Sequence, residues 1–175
     1  MSLLEKGGDG LRFTVYGLRF TDYRPPTTDY RPLTSDLRPP TPDMAKMKRT
    51  DEQWREQLTD EQYRVTRKAG TERPFSGEYN EHFDDGVYHC ICCDHPLFDS
   101  SSKFHSGCGW PSYHSELEEA GIEQRFDDSH GMRRTELVCS NCGAHLGHIF
   151  DDGPPPTGKR YCINSVALKF RPRSG

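Results

Sequence analysis

Four of the seven cysteines fall into two pairs of one spacing, Cys90-Ile-Cys-Cys93 and Cys139-Ser-Asn-Cys142. A CxxC turn aims two thiolates at one point, and two such turns can close a tetrahedron around Zn(II). The expected cofactor is therefore one structural zinc ion held by Cys90, Cys93, Cys139 and Cys142. Roughly 45 residues separate the pairs, more than a zinc ribbon uses, so the metal would staple two distant turns. A site closed by four thiolates offers no open coordination position, which argues against metal catalysis. Redox CxxC chemistry competes with this reading, but the doubled pair and Gly143 after the second one favour zinc. Cys92 is left as a free thiol inside the first turn.

Two cysteines remain. Cys162 lies in Arg160-Tyr-Cys-Ile-Asn-Ser-Val-Ala-Leu-Lys-Phe170. Strand alternation there puts Arg160, Cys162 and Asn164 on one face. A guanidinium beside a thiol lowers its pKa and raises its thiolate fraction. A buried structural cysteine fits the same pattern, and the segment alone leaves the two readings level. Cys108 lies between Gly107 and Gly109, followed by Trp110-Pro111. A mobile cysteine of this kind suits a resolving thiol, which must reach a partner and then leave it. Trp110 is either presented to a site or a core anchor. His145 and His148 lie three apart, so a regular strand would face them opposite ways. A bulge at Gly147 would re-aim one of them.

These residues need a scaffold. Thr50-Asp-Glu-Gln53 and Thr59-Asp-Glu-Gln62 are capping-box signatures, each opening a short helix. The first carries Trp54 and Leu58; the second carries Tyr63, Val65 and Thr66 and stops before Gly70. Beyond Gly86 the period shifts towards two. Val87–Ile91, Thr135–Cys139, Ala144–Phe150 and Tyr161–Phe170 read as strands between Gly/Pro/Asp/Ser loops. The expected fold is mostly β: a small antiparallel domain of two packed sheets with short N-terminal helices and a structural zinc site.

The 175 residues fit one domain and a tail, with residues 1–48 as tail, 49–170 as domain and 171–175 as a short C-terminal tail. Only 32% of the residues are hydrophobic, so the core must be modest, a situation that often recruits a metal. No stretch approaches the length of a membrane helix, and the N-terminus lacks an apolar signal segment. A cytoplasmic location with reduced thiols, and a monomeric state, are the expectations. The formal net charge of -4 argues against nucleic acid as a partner. Residues 1–43 carry six acids and six bases, so the acidic excess belongs to the domain. From Gly10 the tail repeats every seven residues: GLRFTVY, GLRFTDY, RPPTTDY, RPLTSDL, RPPTPDM. Arg-Pro-Pro cannot continue a helix, which excludes a coiled coil. Pro-rich copies of this kind favour extended, solvated chain, and the domain's own start would be Met44 or Met47.

The motifs CICC with CSNC, KFHSGCGWPSY, DDSHGMRRTEL and GAHLGHIFDDGPPPTGKRYCINSVALKF together resemble the methionine-R-sulfoxide reductases, the MsrB family. The resemblance runs from about Arg49 to Phe170. It implies an enzyme that reduces the R epimer of methionine sulfoxide in proteins. Cys162 would be the nucleophile and would become a sulfenic acid. Cys108 would then form a disulfide with it, which thioredoxin reduces. His145 and His148 would be acid/base groups and Asn164 would position substrate or water. Trp110 would lie against the substrate methyl group, with Arg160 and Asp152 as supporting groups. His105 and Tyr113 depart from the family pattern, which more often shows Asp or a small residue, and Phe. A zinc-stapled binding module would account for the four metal cysteines but not for Cys108, Cys162 and Trp110 together. Because the repeat carries none of this chemistry, a chain beginning at Met44 is expected to match the full-length protein in sulfoxide reduction and melting temperature. A large loss in either would mean that the tail packs on the domain.

Overall fold

The computed structural model describes residues 46–173; the repeat-bearing segment at residues 1–45 lies outside the described residues. Both capping boxes form as read. Thr50 caps α1 (Asp51–Gln57) and Thr59 caps α2 (Asp60–Arg67), and each threonine side chain accepts from the backbone of the third helical residue, Gln53 or Gln62, whose side chain answers. Such reciprocal pairs satisfy N–H groups that a helix this short cannot satisfy itself. Trp54, Leu58, Tyr63 and Val65 are buried. The guanidiniums of Arg49 and Arg67 lie 5.2 and 4.8 Å from the Trp54 ring. Among the described residues no helix is long and apolar enough to cross a membrane.

Nine strands follow: β1 (Gly86–Cys90), β2 (Pro96–Asp99), β3 (Lys103–Phe104), β4 (Ser112–Tyr113), β5 (Ile122–Asp127), β6 (Arg134–Cys139), β7 (His145–Phe150), β8 (Arg160–Ile163) and β9 (Leu168–Pro172). They form a three-stranded sheet, β2-β1-β9, and a six-stranded sheet, β3-β4-β8-β7-β6-β5. Every pairing is antiparallel. The core gathers Tyr88, Leu97 and Phe98 from the first sheet with Tyr113, Leu137, Leu146 and Ile163 from the second. Phe98 stacks on Tyr113 with ring centroids 4.3 Å apart.

One element differs from its sequence pattern. The run Tyr161–Phe170 is two strands, in different sheets. β8 ends at Ile163, a 3-10 turn spans Ser165–Ala167, and β9 pairs with β1 instead. The chain changes sheet here because the first amides of the turn bond to the carboxylate of Glu72 rather than to a neighbouring strand. β9 also continues past Phe170 to Pro172.

The short strands β3 and β4 have no period to detect. β5 is an edge strand of Ile-Glu-Gln-Arg-Phe-Asp with three exposed residues at its centre, so its backbone pairing leaves no apolar alternation in the sequence. The register of β6 against β7 shifts between Leu137, opposite Gly147, and Val138, opposite His145. The extra residue, Leu146, is the bulge expected near Gly147. No side chain fits at Gly147 itself, since a Cβ there would lie 2.0 Å from the carbonyl oxygen of Cys162.

Candidate active site

Two turns bring the four paired cysteines together. Cys90 ends β1 and Cys93 sits in the turn after it; Cys139 ends β6 and Cys142 sits in the turn before β7. The turns share one construction. The residue four beyond the first cysteine, Asp94 or Gly143, has positive φ, 61° and 71°. Its N–H donates to the carbonyl of Cys90 or Cys139, at 2.8 Å in both cases. Gly takes this left-handed conformation freely and Asp is among the residues that tolerate it. The helices brace both turns, through Gln57 Nε2 to the Cys92 carbonyl at 2.7 Å and Arg67 Nη1 to the Cys142 carbonyl at 3.0 Å. The four sulfurs lie within 4.8 Å of one another, a cluster that could hold a metal ion. Cys92 is buried beside them but outside the cluster.

The other two cysteines meet elsewhere. Cys162 is central in the larger sheet, opposite Ser112 of β4 on one side and His148 of β7 on the other. The Cys108 sulfur lies 3.7 Å from that of Cys162. Cys108 hangs from a loop whose glycines, Gly107 and Gly109, have φ of 71° and 94°. Two thiols this close hold one proton between them, because the first thiolate is stabilised by the remaining S–H and the second is opposed by the first. The Cys162 S–H holds the Cys108 thiol down to about 4, with help from the Ser106 and Ser112 hydroxyls and against the pull of burial. Cys162 is pushed far above the ordinary thiol value by the same contact, then by burial and the Cys108 charge; Arg160 opposes this without overcoming it. The expected lowering of the Cys162 pKa by its neighbouring cation is thus outweighed by the second sulfur.

The two sulfurs open onto different hollows. Cys162 lines a cavity of about 110 Å³ with Trp110, His148, Asn164, Arg134, Phe150 and Thr71. Cys108 lines a wider cleft of about 470 Å³ with Phe104, His105, Asp152 and Arg160. Arg160 and Asp152 therefore stand on the Cys108 side of the pair, joined by two hydrogen bonds of 2.8 and 2.9 Å. Trp110 donates its indole N–H to the carbonyl of Glu72 at 3.3 Å.

The bulge brings His145 and His148 to within 5.5 Å, ring to ring, although only His148 lines the cavity. Each is anchored by a carboxylate that the sequence did not single out. His145 Nδ1 lies 2.6 Å from Glu136, and His148 Nε2 lies 2.8 Å from Asp127. Asp127 also accepts from Arg134 at 2.8 Å. Its carboxyl is held well below the usual range by bonds from the Ser129 side chain and backbone and from His148. Burial lowers the His148 pKa, with Arg134 and His145 adding to it against the Asp127 bond. Asn164 is buried with both ends of its amide used. Its Nδ2 donates to the Leu146 carbonyl at 3.0 Å and its Oδ1 accepts from the Glu72 N–H at 3.1 Å.

With this geometry in place, the SelR domain matches residues 58–172. A protein of Pseudomonas syringae pv. syringae (strain B728a) named peptide methionine sulfoxide reductase MsrB is 61% identical over 131 residues, 75% of this chain and 100% of the relative. The chain belongs to the MsrB family. Relatives of the same name in Pseudomonas putida (strain W619) and Hahella chejuensis (strain KCTC 2396) are 60% and 58% identical over 132 residues, 75% of this chain and 99% and 95% of theirs. The MsrB match takes in β1 to β9, so it covers both cysteine clusters. A quarter of the chain lies outside the match to the Pseudomonas syringae MsrB.

The shared proton has a measurable consequence. In the reduced protein, iodoacetamide should modify Cys108 at a rate that holds almost level from pH 8 to pH 6, because a thiol titrating at about 4 stays ionised across that window. Replacing Cys162 by Ser removes the main cause of the depression. The Cys108 rate should then fall steeply below pH 8, as for an ordinary thiol. Peptide-level mass spectrometry reads both, and a Cys108 profile unaltered by Cys162→Ser would refute the coupling.

Proposed function

We propose that this chain reduces the R epimer of methionine sulfoxide in polypeptides to methionine, with Cys162 as nucleophile and Cys108 as resolving thiol. What carries the reading is the placement of Cys162 on the cavity shared by Trp110 and His148, with a second sulfur 3.7 Å behind it. The cavity has the size of a side chain, below the range of drug-sized or cofactor sites. The indole supplies an apolar wall for the substrate methyl group.

In the first step the Cys162 sulfur attacks the sulfoxide sulfur and the S–O bond passes to Cys162 as a sulfenic acid, releasing methionine. The oxygen needs a proton as it transfers. Asp127, held ionised, takes the Nε2–H of His148 and so leaves Nδ1 free to carry that proton. Neutral His148 accepts the Cys162 thiol proton and hands it on, so the step balances without an outside acid. His145 stands behind it as the second imidazole of the pair. In the second step the Cys108 thiolate attacks the Cys162 sulfur and expels the sulfenic oxygen, which leaves as water with a proton drawn from solvent, giving a Cys108–Cys162 disulfide. A dithiol such as thioredoxin then reduces that disulfide and becomes oxidised itself. In this reading Asn164 braces the cavity wall, and Arg160 with Asp152 supports the sulfurs from the Cys108 cleft.

For the four-cysteine cluster the proposed ion is zinc. Zinc–sulfur bonds of about 2.3 Å make tetrahedral sulfur–sulfur edges of about 3.8 Å. Cys90 to Cys142 and Cys93 to Cys139 each span 3.7 Å. Two of the six sulfur–sulfur edges thus already have the bound length, and the ion would supply folding stability and no catalysis. The domain proposed to carry all of this begins near Arg49, with the repeat segment dispensable.

The zinc assignment predicts that Cys139→Ser loses the metal and unfolds. Structural zinc supplies an apparent about 10–16 kcal/mol in small domains, comparable with a domain's whole stability of about 5–15 kcal/mol. Metal analysis with circular dichroism checks it, and a folded, fully active Cys139→Ser protein overturns it.

For the chemistry, each epimer is offered with dithiothreitol or with reduced thioredoxin. The wild type should turn over the R epimer and leave the S epimer. Cys162→Ser should abolish turnover with either reductant. Cys108→Ser should still release one methionine per enzyme but lose thioredoxin-driven cycling, and a sulfenic-acid reagent should then label Cys162. A label elsewhere, or no first turnover in Cys108→Ser, would reverse the assignment.

A further inference from the structure

Glu72 lies far from every cysteine in sequence and is not part of the mechanism above, yet it is among the most buried charged residues of the domain, at 2% exposure. Burying a carboxylate is costly unless its oxygens are matched. Here Oε1 accepts from the Ser165 N–H at 2.5 Å and Oε2 from the Val166 N–H at 3.0 Å. These amides open the 3-10 turn at Ser165–Ala167, the point where the chain leaves the larger sheet for the smaller.

A turn of this kind is ordinarily capped by the side chain of the residue before it. That residue is Asn164, and its side chain makes no cap bond. Its amide is spent across the chain instead, on the Leu146 carbonyl and the Glu72 N–H. The capping task has passed to Glu72. A carboxylate suits it because both oxygens accept; a glutamine would turn one donor group towards an N–H.

The backbone of the same residue reaches the cavity twice more. Its N–H holds Asn164 and its carbonyl receives the Trp110 indole N–H, while Thr71, one residue earlier, lines the cavity itself. On the Gly77 side the carboxylate is closely packed. A Cβ at Gly77 would lie 2.8 Å from Oε1 and 2.3 Å from the Ser165 Cβ.

We propose that Glu72 is a positioning residue for the reaction, capping the Ser165–Ala167 turn from a distant loop and so fixing Asn164 and Trp110 on the substrate cavity. The inference rests on the reading of that cavity as the sulfoxide site. Its effect passes through two groups that face the substrate and leaves the sulfur pair alone. Loss of the cap lets the turn and the loop drift apart, and misplacement on the scale of about 1 Å costs on the order of a hundredfold in rate.

Glu72→Gln is the test, made in the full-length, zinc-loaded protein beside Ser76→Ala from the same loop, whose hydroxyl bonds to the Arg73 carbonyl. Glu72→Gln should keep its zinc and its circular dichroism spectrum. Its kcat/KM for N-acetyl-methionine-R-sulfoxide with dithiothreitol should fall between about tenfold and about a hundredfold, with Ser76→Ala unchanged. The chain holds two tryptophans, so proton–nitrogen NMR gives two indole signals. That of Trp110 should move in Glu72→Gln while that of Trp54 stays. Glu72→Asp keeps both oxygens on a shorter stem and should fall between wild type and Glu72→Gln. Wild-type kcat/KM in Glu72→Gln, an unmoved Trp110 signal, or a Glu72→Gln protein that cannot fold each overturns the proposal, the last by assigning Glu72 to stability alone. Should the wild type reduce neither epimer, the sulfoxide reading fails, and the indole signals still decide whether Glu72 sets the cavity wall.

Discussion

The two sheets meet at one end in a cluster of four cysteines. Cys90 and Cys93 belong to the three-stranded sheet, Cys139 and Cys142 to the six-stranded one, so a metal bound to all four thiolates ties the sheets to each other. A chain that is only 32% hydrophobic gains less from burial than an ordinary domain of its size, and a tie of this kind would make good the difference. Both N-terminal helices converge on it, hydrogen-bonding the turns from outside. β6 and β7 leave from the Cys139–Cys142 turn, and these strands carry Glu136, His145 and His148. Geometry at the metal end is thereby transmitted along two strands to the reactive end.

At the reactive end the controlling fact is the distance between two sulfurs. At 3.7 Å they are close enough to share a proton and too far apart to be bonded, since a disulfide needs about 2.05 Å. The pair is thus close to the disulfide without forming it, and Cys108 is the member that lies between two left-handed glycines. Cys162 cannot move far, because β4 and β7 flank it and its own carbonyl leaves no room for a side chain at Gly147. One sulfur on a central strand facing the cavity and a second on a loop facing the other cleft is the arrangement that the proposed two-step chemistry requires.

Much of this was legible in the residues. Helix starts were visible because Thr-Asp-Glu-Gln is a local code, complete within four positions. The metal cysteines were visible because ligand geometry fixes their spacing, and the bulge because Gly147 interrupts an otherwise regular β7. What escaped was non-local. The break at Asn164 leaves no mark on the run Tyr161–Phe170, whose alternation continues through it; its cause is Glu72, over ninety residues earlier. β5 escaped because an edge strand can expose its centre, Gln124, Arg125 and Phe126, and so show no apolar alternation. Arg160 acts on Cys162 as expected, but its influence on the thiol is outweighed by Cys108, whose nearness was implied only by the family resemblance and not by the strand pattern. Tyr113, singled out as a departure from the family pattern, turns out to be fully buried with its hydroxyl unpartnered. Stacking on Phe98 offsets part of that cost, at about 0.5–1.5 kcal/mol against about 1–3 kcal/mol for an unmet polar group.

Four carboxylates, of which the sequence singled out Asp152 alone, have a common function. Glu136 orients His145, Asp127 orients His148 and Arg134, Asp152 holds Arg160 in a fork, and Glu72 holds the turn after Asn164. Each reaches its partner from another strand or loop. An imidazole or guanidinium on a strand has rotamer freedom that neighbouring apolar groups do not remove, whereas a carboxylate at hydrogen-bond distance fixes both its orientation and, for histidine, its tautomer. Negative charge near a sulfur that must become a thiolate ought to oppose the chemistry. Here three of these four carboxylates are neutralised by a guanidinium or turned towards an imidazole, and the fourth is matched by two backbone amides, so their charge is spent on orientation before it reaches the sulfur. In the folded chain these four carboxylates are struts that hold the reactive groups in place.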